Sequence, residues 1–374
     1  MPSAKPRKLL AIASAVLVAG IAAPAAAEGN ATDTDVELEG SLTAYLESQD
    51  TAWVAPQARS PRMAGSPTEA ERINAATRDA LDDDGTPIVD AQSSYDVLSS
   101  VEREPDILEV HASVTTEFSY GGAGAEWPQG SVWTDEHLIT LDTSGARPIV
   151  VQDVLVEPPA DTTPDDPNAP APTQSSADRQ AALAAASPGG GFTTFSQPTA
   201  DIYNQQAYAW EWTSPPNDGD TINDFNPAFP WFDNNCANFV SQVFRAGGWQ
   251  YKGGVNPFDT DNWSPNLTGP GTASRTWSSA KYQYTFFRYN GGLTPIDNIW
   301  NARAGEVLYT DWDPNNTPDG SIDHVMFVAY GDGIPGESPI ISQKTPNRNM
   351  IPLTQSIANA QAQGKTITWF GLGY

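Results

Sequence analysis

The chain has 374 residues and carries 46 acidic against 19 basic side chains, a formal net charge of −27, with a single cysteine. A field of that sign repels phosphate backbones and anionic lipid surfaces, which argues against nucleic acid as a partner, and one cysteine excludes an internal disulfide framework. The length leaves room for two ordinary domains, each with its own core.

At the start, Lys5, Arg7 and Lys8 precede an apolar run from Leu9 to Ala23 and the small residues Ala25-Ala26-Ala27. The run is short for a bilayer span, and the three parts together read as a cleavable secretion signal over residues 1–27. The mature protein is therefore expected to be secreted, with no integral membrane insertion after cleavage. From Glu28 to Gly190 the chain holds 30 acidic and 7 basic residues, net −23, whereas Gly191 to Tyr374 holds 16 and 9, net −7. The acidity is thus concentrated in the first half.

Residues 28–68 are polar, with one modest apolar patch at Leu42, Tyr45 and Leu46, and read as a loosely ordered segment. At Glu69 a helical pattern begins (Ile73, Ala76, Leu81) and ends in the turn signal Asp82-Asp83-Asp84-Gly85. Alternating runs follow at Ile107 to Val114, Val132 to Thr134, His137 to Leu141 and Ile149 to Val156. Separated by Gly, Asp and Ser turns, they predict an antiparallel meander with a packed helix, a small α+β domain over 69–156. His111 and His137 lie inside these strands without further ligands at metal-binding spacing, so they are read as structural.

Residues 157–199, rich in Pro, Ala and Gly, form a linker. Composition then changes: nine of the twelve tryptophans follow Gly191, enough for a dense aromatic core and a lined groove over 200–374. Tyr203, Ala207 and Trp210 mark a helical stripe; 277–287 fits either a helix or a strand. Strands are expected at Ala304 to Thr310, Asp323 to Tyr330, Ile340 to Gln343 and Thr366 to Leu372. The fold class is α+β.

Cys236 stands in Asn235-Cys236-Ala237-Asn238-Phe239-Val240-Ser241-Gln242, where Phe239, Val240, Val243 and Phe244 follow helical spacing and Gly247-Gly248 supplies a stop. The thiol is thus in the first turn of a half-buried helix, where backbone N–H groups and the positive end of the dipole favour thiolate. A lone thiol in an exported chain is either an inert buried residue or a nucleophile, and this placement favours the nucleophile. A nucleophilic thiol needs a base within hydrogen-bond range, and His324 is the only histidine after Gly191. Cys236 and His324 are therefore the candidate catalytic pair.

The same residues resemble the signature of the bacterial putative amidase domain family, usually Asp-Cys-Thr/Ala-Asn-Phe-Val-Ser-Gln followed by a Gly-Gly pair. Gly305-Glu306-Val307, Asp323-His324-Val325, Ile341 to Thr345 and Ile351-Pro352-Leu353 extend the resemblance over about 200–374. It implies a papain-like cysteine hydrolase domain, related to NlpC-type and CHAP peptidases, in which a nucleophile helix packs on a small antiparallel sheet. It further implies hydrolysis of amide bonds, with peptidoglycan peptides as the expected substrates, Cys236 as nucleophile and His324 as general base. Asn235 replaces the usual Asp but retains a helix-capping side chain. Lys344 occupies a position where some relatives have His, leaving Asn347, Gln343 and Ser342 as candidates to orient His324; Asn347 is preferred, because an Asn oxygen can accept from the imidazole.

The oxygen-rich stretch Asp311, Asp313, Asn315, Asp319 and Asp323 suggests calcium, but Asn316 and Ile322 break the EF-hand pattern, so a solvated acidic turn is expected. Thiol chemistry requires no metal or cofactor. The competing reading is a catalytically inactive member that binds cell wall or a partner protein.

Overall fold

In the computed structural model, which describes residues 33–55, 66–121, 130–156, 197, 199–213, 225–269, 272–312, 320–334 and 338–374, ten strands form one sheet in which every pairing is antiparallel. The expected signal, nearly all of the expected linker and positions 313–319 of the acidic stretch lie outside the described residues. With seven α-helices among those residues, the architecture is α+β.

The first helix, α1, covers Asp33–Val54, inside the stretch that sequence reading leaves as a loosely ordered segment. Leu42, Tyr45, Leu46 and Trp53 are all buried. Their three-to-four spacing places them along one narrow stripe, enough to hold a helix onto a sheet but too sparse to stand out in a polar composition. Helix α2, Glu69–Asp83, starts with a capping box. The Glu71 N–H donates to Thr68 Oγ1 at 3.2 Å, and the Thr68 N–H donates to Glu71 Oε2 at 2.7 Å.

Strands β2 (Ile107–Tyr120), β3 (Ser131–Asp142) and β4 (Ile149–Leu155) form an antiparallel meander in which β3 unites two of the expected runs, and β1 (Ile88–Glu104), which the sequence reading did not include, pairs with β2. His111 Nε2 meets Glu136 at 2.7 Å and His137 Nδ1 meets the buried Asp153 at 2.8 Å, so both histidines bond to a cross-strand neighbour.

Helix α3 is Ile202–Thr213 and α4 is Cys236–Ala246. The ambiguous stretch resolves into α5 (Arg275–Ser278) and α6 (Ala280–Tyr289), followed by β5 (Thr294–Pro295), β6 (Val307–Asp311), β7 (His324–Tyr330), β8 (Ile340–Gln343), β9 (Arg348–Pro352), α7 (Leu353–Ala362) and β10 (Thr368–Gly373). The face α3 buries is not the expected one: Tyr203 is 84% exposed, whereas Gln205, Ala209 and Thr213 are buried. The open carbonyls at its end decide this. Asn347 Nδ2 donates to Thr213 O and Asn349 Nδ2 to Trp210 O, both at 3.1 Å, and these bonds turn the Thr213 side toward β9.

Strand order is β1-β2-β3-β9-β8-β7-β6-β10-β5, with β4 also on β3. β3 is the joint: Val132 and Trp133 pair with Asn349 and Arg348 of β9, while His137 to Asp142 pair with β4. Strand alternation then sorts the carboxy-terminal core into two layers. Val307, Tyr309, Val325, Phe327, Phe370 and Leu372 pack with Phe239, Val243 and Phe244 of α4 and with Trp249, Trp263 and Trp277. Leu308, Met326, Val328, Ile341 and Ile351 face the other way, toward Leu353 of α7, Leu81 of α2 and the meander residues Phe118 and Trp133.

The junction of the two halves is polar as well as apolar. Arg348 pairs with Asp135 at 2.7 Å, donates to Thr134 O at 2.5 Å and lies 3.5 Å over the Trp133 ring. Tyr120 Oη donates to Gln355 Oε1 at 2.5 Å, and Thr354 Oγ1 to Asp84 Oδ2 at 2.9 Å.

Candidate active site

The polar residues around Cys236 hold its helix in place. Asn238 Nδ2 donates to Pro230 O at 2.8 Å, and its Oδ1 accepts from Trp277 Nε1 at 2.6 Å. Ser241 Oγ donates to Trp277 O at 3.0 Å and accepts from Trp263 Nε1 at 3.1 Å and Gln283 Nε2 at 2.7 Å. Every hydrogen-bonding position of that hydroxyl is thus used in a layer without water access, where an orphaned partner would cost about 1–3 kcal/mol. Gln283 also donates to Ala237 O at 2.7 Å. Sequence reasoning missed this support, because Trp277 and Gln283 lie about 40 positions downstream.

Asn235 does not cap α4. Its Oδ1 accepts from Asn238 Nδ2 at 2.7 Å, and no side-chain cap bond to the helix is made. Its own N–H donates to Thr345 Oγ1 at 2.9 Å, which ties the start of the helix to the turn between β8 and β9.

Cys236 is 2% exposed, in the layer that holds Tyr309 and Val325. Burial pushes the Tyr309 hydroxyl well above its ordinary value, and the charges of Tyr284 and Cys236 add to the shift, so Tyr309 and the thiol are electrostatic neighbours.

His324 opens β7 and is 2% exposed. It pairs with Thr310, one step along from the Val325–Tyr309 pair. Side chains alternate along a strand and cross-strand pairs share a face. Val325 and Tyr309 face α4, so His324 lies on the opposite face with Met326 and Leu308. Its ring stacks on Trp312, centroids 5.1 Å apart and planes 29° apart. Burial drives its pKa down to about 3; the Gln343 side chain acts in the other direction, and the charges of Arg348 and Lys365 deepen the depression. Nε2 is buried and faces the Gln343 amide in a contact too long or too bent for an ordinary hydrogen bond.

The two candidates therefore sit at one end of the sheet but on opposite faces. Of the three residues considered as orienters, Gln343 lies against the ring. Asn347 instead serves α3 through Thr213 O, and Ser342 Oγ accepts from the Met350 N–H at 3.1 Å. The two described ends of the acidic stretch are used locally: Asp311 Oδ2 accepts from the Gly320 N–H at 2.9 Å and Asp323 Oδ2 from the Trp312 N–H at 2.8 Å.

No curated protein and no solved structure matches the chain. A family model described as Putative amidase domain matches residues 200–368, the region that carries both Cys236 and His324.

Proposed function

We propose that this chain is a secreted, cysteine-dependent amide-bond hydrolase acting on peptides, with peptidoglycan peptides as the substrate class. The family description itself supports an amidase-type hydrolase. The observation that carries the finer reading is Cys236 at the first position of α4 inside the matched region, where the first-turn N–H groups and the helix dipole favour negative charge on sulfur and on a nearby oxyanion.

The chemistry is acyl transfer. The thiolate adds to the amide carbonyl, the C–N bond breaks, and an imidazolium protonates the departing amine. Water then attacks the thioester, giving one proton to the imidazole and releasing the thiolate and a carboxylic acid, which ionises to solvent. A thiol helix packed on an antiparallel sheet that bears the histidine supports a papain-like reading. His324 is the sole histidine in the family region and so takes the proton-carrier role.

In the arrangement described here the imidazole is on the far face, and burial keeps it neutral. A one-residue shift at the start of β7 would turn His324 toward Cys236, because alternation flips a side chain with each step. The same shift would lift the ring off Trp312 and set it beside the thiolate, whose charge favours the imidazolium although the Cys236 face is buried as well. Repositioning and activation thus go together.

Incubation of the protein with wall-derived peptides, read by mass spectrometry for new amines, tests the reading. Wild type is expected to release products that Cys236→Ser does not; identical products from both would overturn it. The separation of sulfur and imidazole favours one alternative, a family member that binds peptides without turnover. That reading is selected if wild type retains peptides and releases no amine.

A further inference from the structure

We infer that the buried Tyr309 hydroxyl is the hydrogen-bond donor that holds the Cys236 sulfur in its charged form, which makes Tyr309 a positioning residue for the nucleophile. The inference rests on the proposed reading of Cys236 as a thiolate nucleophile. Tyr309 stands in the middle of β6, paired with Val325 of β7 and Phe370 of β10, and its side chain packs in the layer that holds Cys236 and α4. It is fully buried, and its ring is fixed edge-on against Tyr284, centroids 5.2 Å apart and planes 82° apart.

Its strand neighbours in that layer, Val307, Val325, Phe327, Phe370 and Leu372, are apolar. Phenylalanine would fill the same space without taking a hydroxyl out of water, so the hydroxyl has to be explained by what it faces. Tyr309 Oη donates to Gln283 Oε1 at 3.4 Å, well beyond the roughly 2.7–2.8 Å of a strong O–H···O bond. Gln283 in turn directs its amide nitrogen at α4, donating to Ala237 O and to Ser241 Oγ, both at 2.7 Å. The path from Tyr309 through Gln283 thus ends on the residue that follows Cys236. The charge of Cys236 is felt at the phenol: after burial and Tyr284, it is among the influences that raise the Tyr309 hydroxyl well above its ordinary value. A phenol raised in this way keeps its proton throughout the range in which a thiol ionises, so it acts as a donor and never as a base.

A hydroxyl proton turns about its C–O bond to suit its acceptor. While the sulfur is a thiol, the phenol gives its proton to Gln283. Once the sulfur is charged, the phenol turns to it and exchanges a long neutral bond for a charge-assisted one. The dipole of α4 and the hydroxyl of β6 then favour the same charge, one from the helix and one from the sheet. Tyr309 is already on the face of the sulfur, so this support does not depend on where His324 lies.

The single cysteine makes the test specific, because ultraviolet titration of the full-length chain, with Cys236→Ser subtracted, reports one thiolate. Tyr309→Phe is expected to raise the thiol pKa by about one unit or more, the scale of one hydrogen bond to a charged group and a tenfold smaller thiolate fraction on the acid side. A ring-fluorinated tyrosine at position 309 keeps the shape and strengthens the hydroxyl as a donor, so it is expected to lower the thiol pKa. A merely structural hydroxyl would not give shifts of opposite sign. A thiol pKa that Tyr309→Phe leaves unchanged or lowers would overturn the inference; if that variant does not fold, a thiol pKa that the fluorinated chain leaves unchanged or raises would do so. Peptide cleavage by wild type together with a thiol indifferent to Tyr309 removes this inference alone, whereas equal products from wild type and Cys236→Ser remove the hydrolase reading whatever the titration shows.

Discussion

Substituting Asp135→Asn removes one charge from the brace between the halves while preserving side-chain shape. Asp135 is 15% exposed and Arg348 5%, and the guanidinium also lies over Trp133, so water cannot replace the lost carboxylate. Stripping one partner from a buried pair leaves an uncompensated charge and costs about 3–5 kcal/mol. At about 2–4 °C per kcal/mol for chains of this class, Tm should fall on the order of 10 °C, with a matching fall in urea midpoint. The coupling is isolated by a cycle with Arg348→Met, in which the double variant should recover much of the loss, since neither Asn nor Met leaves a buried charge. Acid adds an independent reading. Burial opposes ionisation of Asp135, but the charge and hydrogen bonds of Arg348 outweigh it and hold the carboxyl below its ordinary value. A carboxyl depressed in the folded state stabilises above its unfolded pKa near 3.9 and loses that contribution as pH falls through the folded value. The wild-type advantage over Asp135→Asn should therefore shrink below about pH 4. A loss under about 1 kcal/mol at pH 7, or one unchanged at pH 3, would refute the brace.

Two further outcomes follow from buried histidines with opposite shifts. His324 titrates near 3 when folded and near 6.5 when unfolded, so between those values the unfolded chain takes up a proton that the folded chain refuses. Stability should fall as pH drops through that window, by at most about 1.4 kcal/mol per unit, and His324→Gln should flatten the slope between pH 7 and 4 in urea titrations; an unchanged slope would contradict the buried imidazole. His137 behaves in reverse. Burial works against its proton, but the charge and hydrogen bond of Asp153 outweigh it and raise the pKa. Its contribution is present below 6.5 and lost as pH rises through the raised value. Asp153 also accepts from Tyr45 Oη of α1 at 2.8 Å, so Tyr45→Phe should cost about 1–3 kcal/mol and speed hydrogen exchange in α1; protection equal to wild type would show that the bond does not hold the helix.

Part of the element list was legible in the sequence, while β1, β9 and α7 were not foreseen. The helix at Glu69, three meander strands and the amphipathic helix of Cys236 each carry a strong local period. Long-range register was not legible, and register decides the site. Phe327 pairs with Ser342 and Val328 with Ile341, which sets Gln343 opposite Met326 and on the His324 face. No local signal distinguishes Gln343 from Asn347 as a neighbour of the imidazole; the ladder does, and it sends Asn347 to α3 instead. Helix α1 escaped for a different reason, since its four buried residues lie within a surface of acids, threonines and serines whose composition outweighs the stripe.

The turn from Lys344 to Asn347 gathers consequences that composition could not suggest. Thr345 receives the Asn235 N–H that leads into the Cys236 helix, and Asn347 O receives the Thr134 N–H of β3. Gln343, immediately before the turn, touches the imidazole, and Arg348, immediately after it, pairs with Gln343 across the ladder and with Asp135 of the meander. Six consecutive residues thus contact the thiol helix, the histidine, α3 and the amino-terminal sheet. Packed interiors move as discrete units rather than deforming smoothly. A change in how the meander holds Arg348 therefore has a short covalent path to both candidate catalytic residues, three residues to the Asn235 anchor and five to the side chain against His324. That path gives the amino-terminal half a physical means to set the geometry of the amidase region, and it places the burden of bringing sulfur and imidazole together on this turn and on the start of β7, not on the helix that carries the thiol.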